Sequence, residues 1–299
     1  MSITIQKLSI QPNQLNPSPS LSYEVIHFPG GEIGIKLDTS NLAYLHLKST
    51  PVITARLQNS EDVMKLVMIV DALRQWDRGT LIRLKLHYVP YGRQDRVCVA
   101  GEAFGLKAFA AIINSLKFES VTVLDPHSDV TGAVLDSVRI IPQATIIGRF
   151  DEFMKELIPP IGFPPPVFVS PDAGANKKTA ALASLFNHRD FIRADKKRDL
   201  ATGQILETIV YGDVQGATCV IVDDLIDGGK TFIELAKVLK IGGAARVVLY
   251  ATHGIFSKGT DVIFESGIDK IYTTNSYRQI EPAANKLAVL DVDTPYLFL

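Results

Sequence analysis

One stretch restricts the fold of this chain more than any other: Val220-Ile221-Val222-Asp223-Asp224-Leu225-Ile226-Asp227-Gly228-Gly229-Lys230-Thr231. An apolar, β-branched run predicts a buried strand over residues 218–222 that ends in two carboxylates. The glycine pair predicts a tight turn, and Thr231 opens a helical pattern reaching residue 239. In open α/β sheets, ligands gather at the carboxyl ends of strands. Glycines let backbone N–H groups wrap a phosphate, and a helix N-terminus adds partial positive charge. Asp223 and Asp224 are badly placed to hold a phosphate directly. They suit sugar hydroxyls, or a magnesium ion bridging to one.

The ending Gly229-Lys230-Thr231 invites comparison with the Walker A loop, which requires a glycine five residues before Gly229. Asp224 stands there, so that reading fails.

The rest of the chain repeats the strand-then-helix theme. Residues 43–47, 81–88 and 120–124 read as strands, with helices over the Asn59-Ser60-Glu61-Asp62 start and residues 103–116. Later, residues 167–170 and 246–251 read as strands, and 177–186 and 231–239 as helices. The fold expected is α/β, with two tandem doubly wound parallel-sheet domains. The run Pro159-Pro160-Ile161-Gly162-Phe163-Pro164-Pro165-Pro166 cannot be helix interior and marks a connection. The halves are therefore taken as residues 1–150 and 151–299. Any internal duplication is architectural, because no sequence repeat is evident.

Composition narrows the function class. Apolar residues make up 46% and charged residues 21%, the balance of a soluble α/β protein. Without a run of about eighteen apolar residues, no membrane span is expected. A net charge of −1 without a long basic block gives nucleic-acid binding no support. Cys98 and Cys219 stand far apart and outside any CxxC pattern, which argues against a disulfide framework or thiolate zinc site. The start of the chain does not read as a secretory signal, so the expected location is cytoplasmic.

Five further segments stand beside the phosphate loop: Phe28-Pro29-Gly30-Gly31-Glu32, Pro90-Tyr91-Gly92-Arg93-Gln94-Asp95-Arg96, Asp125-Pro126-His127-Ser128-Asp129, Val169-Ser170-Pro171-Asp172-Ala173-Gly174 and Asp195-Lys196-Lys197-Arg198. Their types and order resemble the ribose-phosphate pyrophosphokinases, whose binding loop follows two acids. Residues 251–254 and 273–276 resemble two late strand-end elements of that family. The resemblance covers nearly the whole chain.

By that resemblance the chain is an enzyme moving the β,γ-diphosphate of ATP to the anomeric hydroxyl of a ribose 5-phosphate unit, with release of AMP. Phe28 and Glu32 would recognise adenine, while Arg93, Gln94 and His127 contact ATP. His127 and Asp172 would hold Mg²⁺. Lys196 and Arg198 take the catalytic positions. Asp223, Asp224, Asp227, Gly228, Gly229, Lys230 and Thr231 would bind the ribose phosphate. The family also implies a homo-oligomer, a dimer or a hexamer.

The chain departs from the pattern at several points. Val130 replaces a Gln, Ala175 and Lys178 replace Gly and Arg, and residues 97–101 lack the usual basic cluster. In the phosphate loop a hydroxyl is lost at Gly228 and a cation gained at Lys230. A drifted loop that still takes ribose 5-phosphate is one expectation. The other, slightly favoured, is ADP-ribose, with Gly228 giving room and Lys230 charge for a second phosphate. A non-catalytic regulatory paralogue is the alternative from another class.

Overall fold

Asn59 starts the first long helix because its side chain accepts a hydrogen bond from the Asp62 N–H at 2.9 Å, a cap that contributes about 1 kcal/mol. The computed structural model describes residues 2–7, 20–38, 40, 50–186, 191–198, 205–283 and 285–293, without the side chains of residues 7, 196–198 and 205–207. The strand expected at 43–47 and the apolar residues 296–299 lie outside the described residues. Contacts divide the chain into two compact units, Met1–Ile141 and Pro142–Leu299.

The first unit contains β1 (Ile3–Lys7), β2 (Tyr23–His27), β3 (Ile33–Leu37), β4 (Pro51–Ala55), α1 (Ser60–Trp76), β5 (Arg83–Leu86), α2 (Gly105–Ser115), β6 (Ser120–Leu124), α3 (Val130–Val134) and β7 (Val138–Ile141). Among the described residues its sheet runs β1-β4-β5-β6-β7. Strands β4 to β7 are parallel, β1 lies antiparallel on β4, and β2–β3 form a separate hairpin. Leu66, Ile69, Val70 and Leu73 repeat at helical spacing along α1. They share one core with Leu84 and Leu86 of β5, Val121 and Val123 of β6, and Phe109 and Ile113 of α2.

The second unit begins with α4 (Gln143–Ile147) and α5 (Asp151–Leu157), followed by β8 (Val167–Ser170), α6 (Asn176–Leu185), β9 (Ile192–Arg198) and β10 (Ile205–Tyr211). Then come β11 (Thr218–Ile226), α7 (Lys230–Ile241), β12 (Arg246–Gly254), α8 (Asp261–Phe264), β13 (Lys270–Thr274) and β14 (Leu287–Leu290). The described sheet has the order β10-β9-β8-β11-β12-β13-β14, parallel throughout except for β10 against β9. Alternation along β11 and β12 shows why this sheet is covered on both faces. Val220, Val222, Val248 and Tyr250 pack with Phe153 of α5 and Leu182 of α6. Cys219, Ile221, Val247 and Leu249 pack on the other side with Leu235, Ala236 and Leu239 of α7.

Residues 142–157, which a boundary at 150 would split, fall in the second unit, where Ile147, Phe150, Phe153 and Leu157 join its core. Phe153 is fully buried and stacks on Tyr250 with centroids 4.9 Å apart and planes at 16°. Aromatic pairs of this kind contribute about 1 kcal/mol beyond the area they bury. Among the described residues, no helix is long and apolar enough to cross a membrane.

Candidate active site

The central strand of the second unit runs further than its sequence predicts. Instead of ending at residue 222, β11 continues to Ile226, because β12 continues beside it: Asp223 faces Ala251, Leu225 faces His253 and Ile226 faces Gly254. The two acids therefore sit inside the ladder, near its carboxyl end. Gln143 Nε2 donates to the Asp223 carbonyl at 2.7 Å, and the Asp224 N–H donates to Asp223 Oδ1 at 2.8 Å. Burial pushes the Asp223 carboxyl well above the usual carboxylate range, and the charges of Asp224 and Asp172 push it the same way.

Beyond β11 the chain turns through Asp227 and Gly228 into Gly229, which has φ +74° and precedes α7. A Cβ on Gly229 would stand 2.8 Å from Ile263 Cγ1, so both the backbone conformation and the neighbour require glycine. The helix opens at Lys230, one residue before the Thr231 expected from sequence, with Lys230 exposed and Thr231 half-buried. Asp227 Oδ1 is buried without a hydrogen-bond partner among the described residues.

Asp172 follows β8 on the neighbouring strand. Its Oδ1 accepts from the N–H groups of Gly174 at 3.1 Å and Ala175 at 3.3 Å, which shapes the turn into α6. From α6, Lys178 Nζ reaches to 4.0 Å from Asp224 Oδ1. Lys196 and Arg198 belong to β9, where Lys196 pairs with Thr208 and Arg198 with Ile205 of β10. Their side chains lie outside the described residues.

The late elements join the ends of β12 and β13. Thr274 Oγ1 donates to the Thr252 carbonyl at 2.7 Å and Ser276 Oγ to the same carbonyl at 3.0 Å. Buried His253 meets Ser276 Oγ through Nδ1 at 2.8 Å. These groups brace the strand ends.

In the first unit, Phe28 and Glu32 occupy the tip of the β2–β3 hairpin, where the Phe28 N–H donates to the Glu32 carbonyl at 2.9 Å. Phe28 is 49% exposed, and its ring lies over Gly34, where a Cβ would come within 3.1 Å. A large apolar ring held this open is available to stack on a flat ligand. Arg93 and Gln94 lie exposed in the loop after β5. Gln94 is fastened to the start of α2, its carbonyl accepting from the Leu106 N–H at 3.1 Å and its side chain resting against Gly105.

Exposed His127 follows β6 and stands beside that loop, since a Cβ on Gly92 would lie 3.6 Å from His127 Cβ. Arg96 Nε donates to buried Asp95 Oδ1 at 3.0 Å, and this bond holds the Asp95 carboxyl below its ordinary range. The structure thus brings the loop after β5 and the loop after β6 together within the first unit. It brings Asp172, Asp223, Asp224 and Lys178 together within the second. Among the described residues, no group of three or more His, Cys, Asp or Glu side chains is placed to hold a metal ion.

Comparison with known proteins identifies the family. Residues 201–295 match the model of the phosphoribosyl synthetase-associated domain. A ribose-phosphate pyrophosphokinase of Pasteurella multocida is 32% identical over 237 residues, 77% of this chain and 72% of the relative. Its counterpart in Shewanella oneidensis is 35% identical over 224 residues, 73% of this chain and 67% of the relative. The chain belongs to the ribose-phosphate pyrophosphokinase family. It is an enzyme of the pyrophosphokinase type, with the α/β fold expected from its sequence. A phosphoribosylpyrophosphate synthetase from Mycobacterium smegmatis shares that fold, with a TM-score of 0.72 at 23% identity over 91% of this chain and 86% of the other.

Two pyrophosphokinase-site neighbours were not chosen as site residues from the sequence. Lys178 stood out only as a departure from the family pattern, and its approach to Asp224 depends on how α6 packs on the sheet. Gln143 gave no signal, because a glutamine after a proline is ordinary until the fold brings it to Asp223.

Proposed function

We propose that the chain transfers the β,γ-diphosphoryl group of ATP to the anomeric hydroxyl of a ribose 5-phosphate unit and releases AMP. The observation that carries this reading is the acid pair Asp223–Asp224 near the end of β11, followed by the left-handed Gly229 that opens α7. Carboxylates set back from a helix N-terminus suit the two ends of a sugar phosphate, hydroxyls on one side and phosphate on the other. Asp223 and Asp224 accept from the ribose hydroxyls. The Gly228, Gly229 and Thr231 amides face the 5′-phosphate, with Asp227 shaping the turn and Lys230 adding charge.

The nucleotide contacts are assigned to the first unit. Phe28 offers its exposed ring to adenine, Glu32 its carboxylate to the base edge, and Arg93 and Gln94 their donors to the phosphates. Lys196 and Arg198 stabilise charge that develops on the transferred group, which needs positioned cations more than covalent chemistry.

Mg²⁺ fits the donor chemistry. It prefers oxygen and keeps most of its shell as water and substrate phosphate, so one or two protein ligands suffice. Asp172 would supply a carboxylate within the second unit, and His127 a ring nitrogen within the first. Burial raises the Asp223 carboxyl most, and the repulsion from Asp224 and Asp172 that adds to it is what a nearby dication relieves. When bound, the ion screens the ATP oxygens and acts as a Lewis acid.

Two acceptors satisfy this reading, ribose 5-phosphate and ADP-ribose, and the cation at Lys230 favours the one with the second phosphate. Incubation of the pure protein with Mg-ATP and each sugar separates the outcomes. AMP formed only with ADP-ribose selects that acceptor, AMP formed with ribose 5-phosphate selects the simpler one, and no AMP with either leaves a non-catalytic paralogue.

A further inference from the structure

The space beside Gly228 is bordered by a lysine stem. A Cβ there would meet Lys258 Cδ and Cε at 3.6 Å each, so the stem of Lys258 lies across the phosphate turn. This placement is fixed on either side of the lysine. Before it, the N–H groups of Ile255 and Phe256 donate to the Ile226 carbonyl at 2.8 Å and 3.3 Å, one residue ahead of the turn. After it, Ile263 of α8 packs on Gly229. Lys258 is exposed, and among the described residues neither its ammonium nor that of Lys230 makes an ion pair.

Two lysines without ion-pair partners among the described residues therefore border one glycine turn. A long stem laid on a glycine covers apolar surface while its charged end stays in water. Such an arrangement favours an anion with more charge than a lone monoester. We propose that Lys258 is a specificity-determining residue that binds the 5′-substituent of the acceptor, and that Lys258 and Lys230 together favour a 5′-diphosphate over a 5′-monophosphate. The inference rests on the reading of residues 227–231 as the sugar-phosphate loop. It also adds to the expected room at Gly228 a second cation at its border.

The test compares wild type with Lys258→Met, which keeps the apolar stem and removes the charge, and with Lys258→Arg, which restores it. Calorimetric titration with ADP-ribose and with ribose 5-phosphate needs no turnover. The methionine variant is expected to bind ADP-ribose about tenfold more weakly, the effect of losing one charge-assisted contact. Its affinity for ribose 5-phosphate should fall less, and arginine should recover most of the loss. In turnover, the acceptor KM should rise while the ATP KM stays fixed, a split that a structural role for Lys258 does not produce. Equal affinities in wild type and methionine variant, or equal losses for both sugars, would overturn the proposal. Sugar binding that depends on Lys258, without AMP formation, would sink the pyrophosphokinase reading and leave this inference standing.

Discussion

Lys178 Nζ lies 4.0 Å from Asp224 Oδ1, a cation from α6 beside an acid pair on β11. An opposite charge at this range favours the ionised carboxylate. Lys178→Met should therefore make the pair harder to ionise, so the acidic limb of kcat/KM for the acceptor moves upward. Lys178→Arg should leave that limb in place. A pH–rate profile with identical acidic limbs in wild type and the methionine variant would dismiss the coupling.

Asp223 gives a second prediction. Its carboxyl is raised in the folded chain, first by burial and then by Asp224, so the folded state holds a proton where the unfolded state has released it. The stability from that proton is complete below the unfolded value and disappears as pH rises through the folded value. Asp223→Asn removes the repelling charge. Its melting temperature at pH 7 should exceed wild type by about 2 °C, the shift for roughly 1 kcal/mol in a protein of this size, while turnover falls. Thermal scans across pH should show wild-type stability declining above the carboxylate range and the variant flat there. This combination of gained stability and lost function is common where charges are gathered for a ligand.

The two glycines of the turn should respond differently. At Gly228 an added methyl meets only the Lys258 stem at 3.6 Å, an ordinary contact, so Gly228→Ala should fold normally. Gly229→Ala combines φ +74° with a 2.8 Å approach to Ile263. The left-handed conformation alone costs about 1–2 kcal/mol with a Cβ present, and Ile263 must move as well. Urea titration should show the second variant weaker than the first by at least about 1 kcal/mol.

These residues also show what the sequence made legible. Apolar alternation and caps located α1, β6 and β8 closely, because core burial and an Asn59 cap are local signals. The acid pair and the glycine turn could be read for the same reason. The extension of β11 through Asp223 and Asp224 could not, since carboxylates disfavour strands and only pairing with the longer β12 keeps them there. Gln143 and Lys258 were silent, and Lys178 showed only as a departure from the family pattern, because each acts through a contact far along the chain, which periodicity does not report. The placement of residues 142–157 followed aromatic packing on Tyr250 and Tyr272, stronger here than the proline-rich connection that drew attention in the sequence.

Lys196 is the sharpest test of the chemistry. It lies in β9, where its backbone pairs with Thr208 of β10, while the pairing with β8 covers Ile192 and Arg193 only. If its ammonium meets the transferred phosphoryl oxygens only as charge builds up on them, it contributes to the transition state and little to the ground state. Lys196→Ala should then lower kcat at least about 100-fold, the scale for losing one such contact, with both KM values nearly unchanged. Steady-state AMP release, measured with each substrate varied in turn, separates this from a binding role. A variant with raised KM and near-normal kcat would move Lys196 from catalysis to substrate binding, and near-normal values of both would remove it from the site.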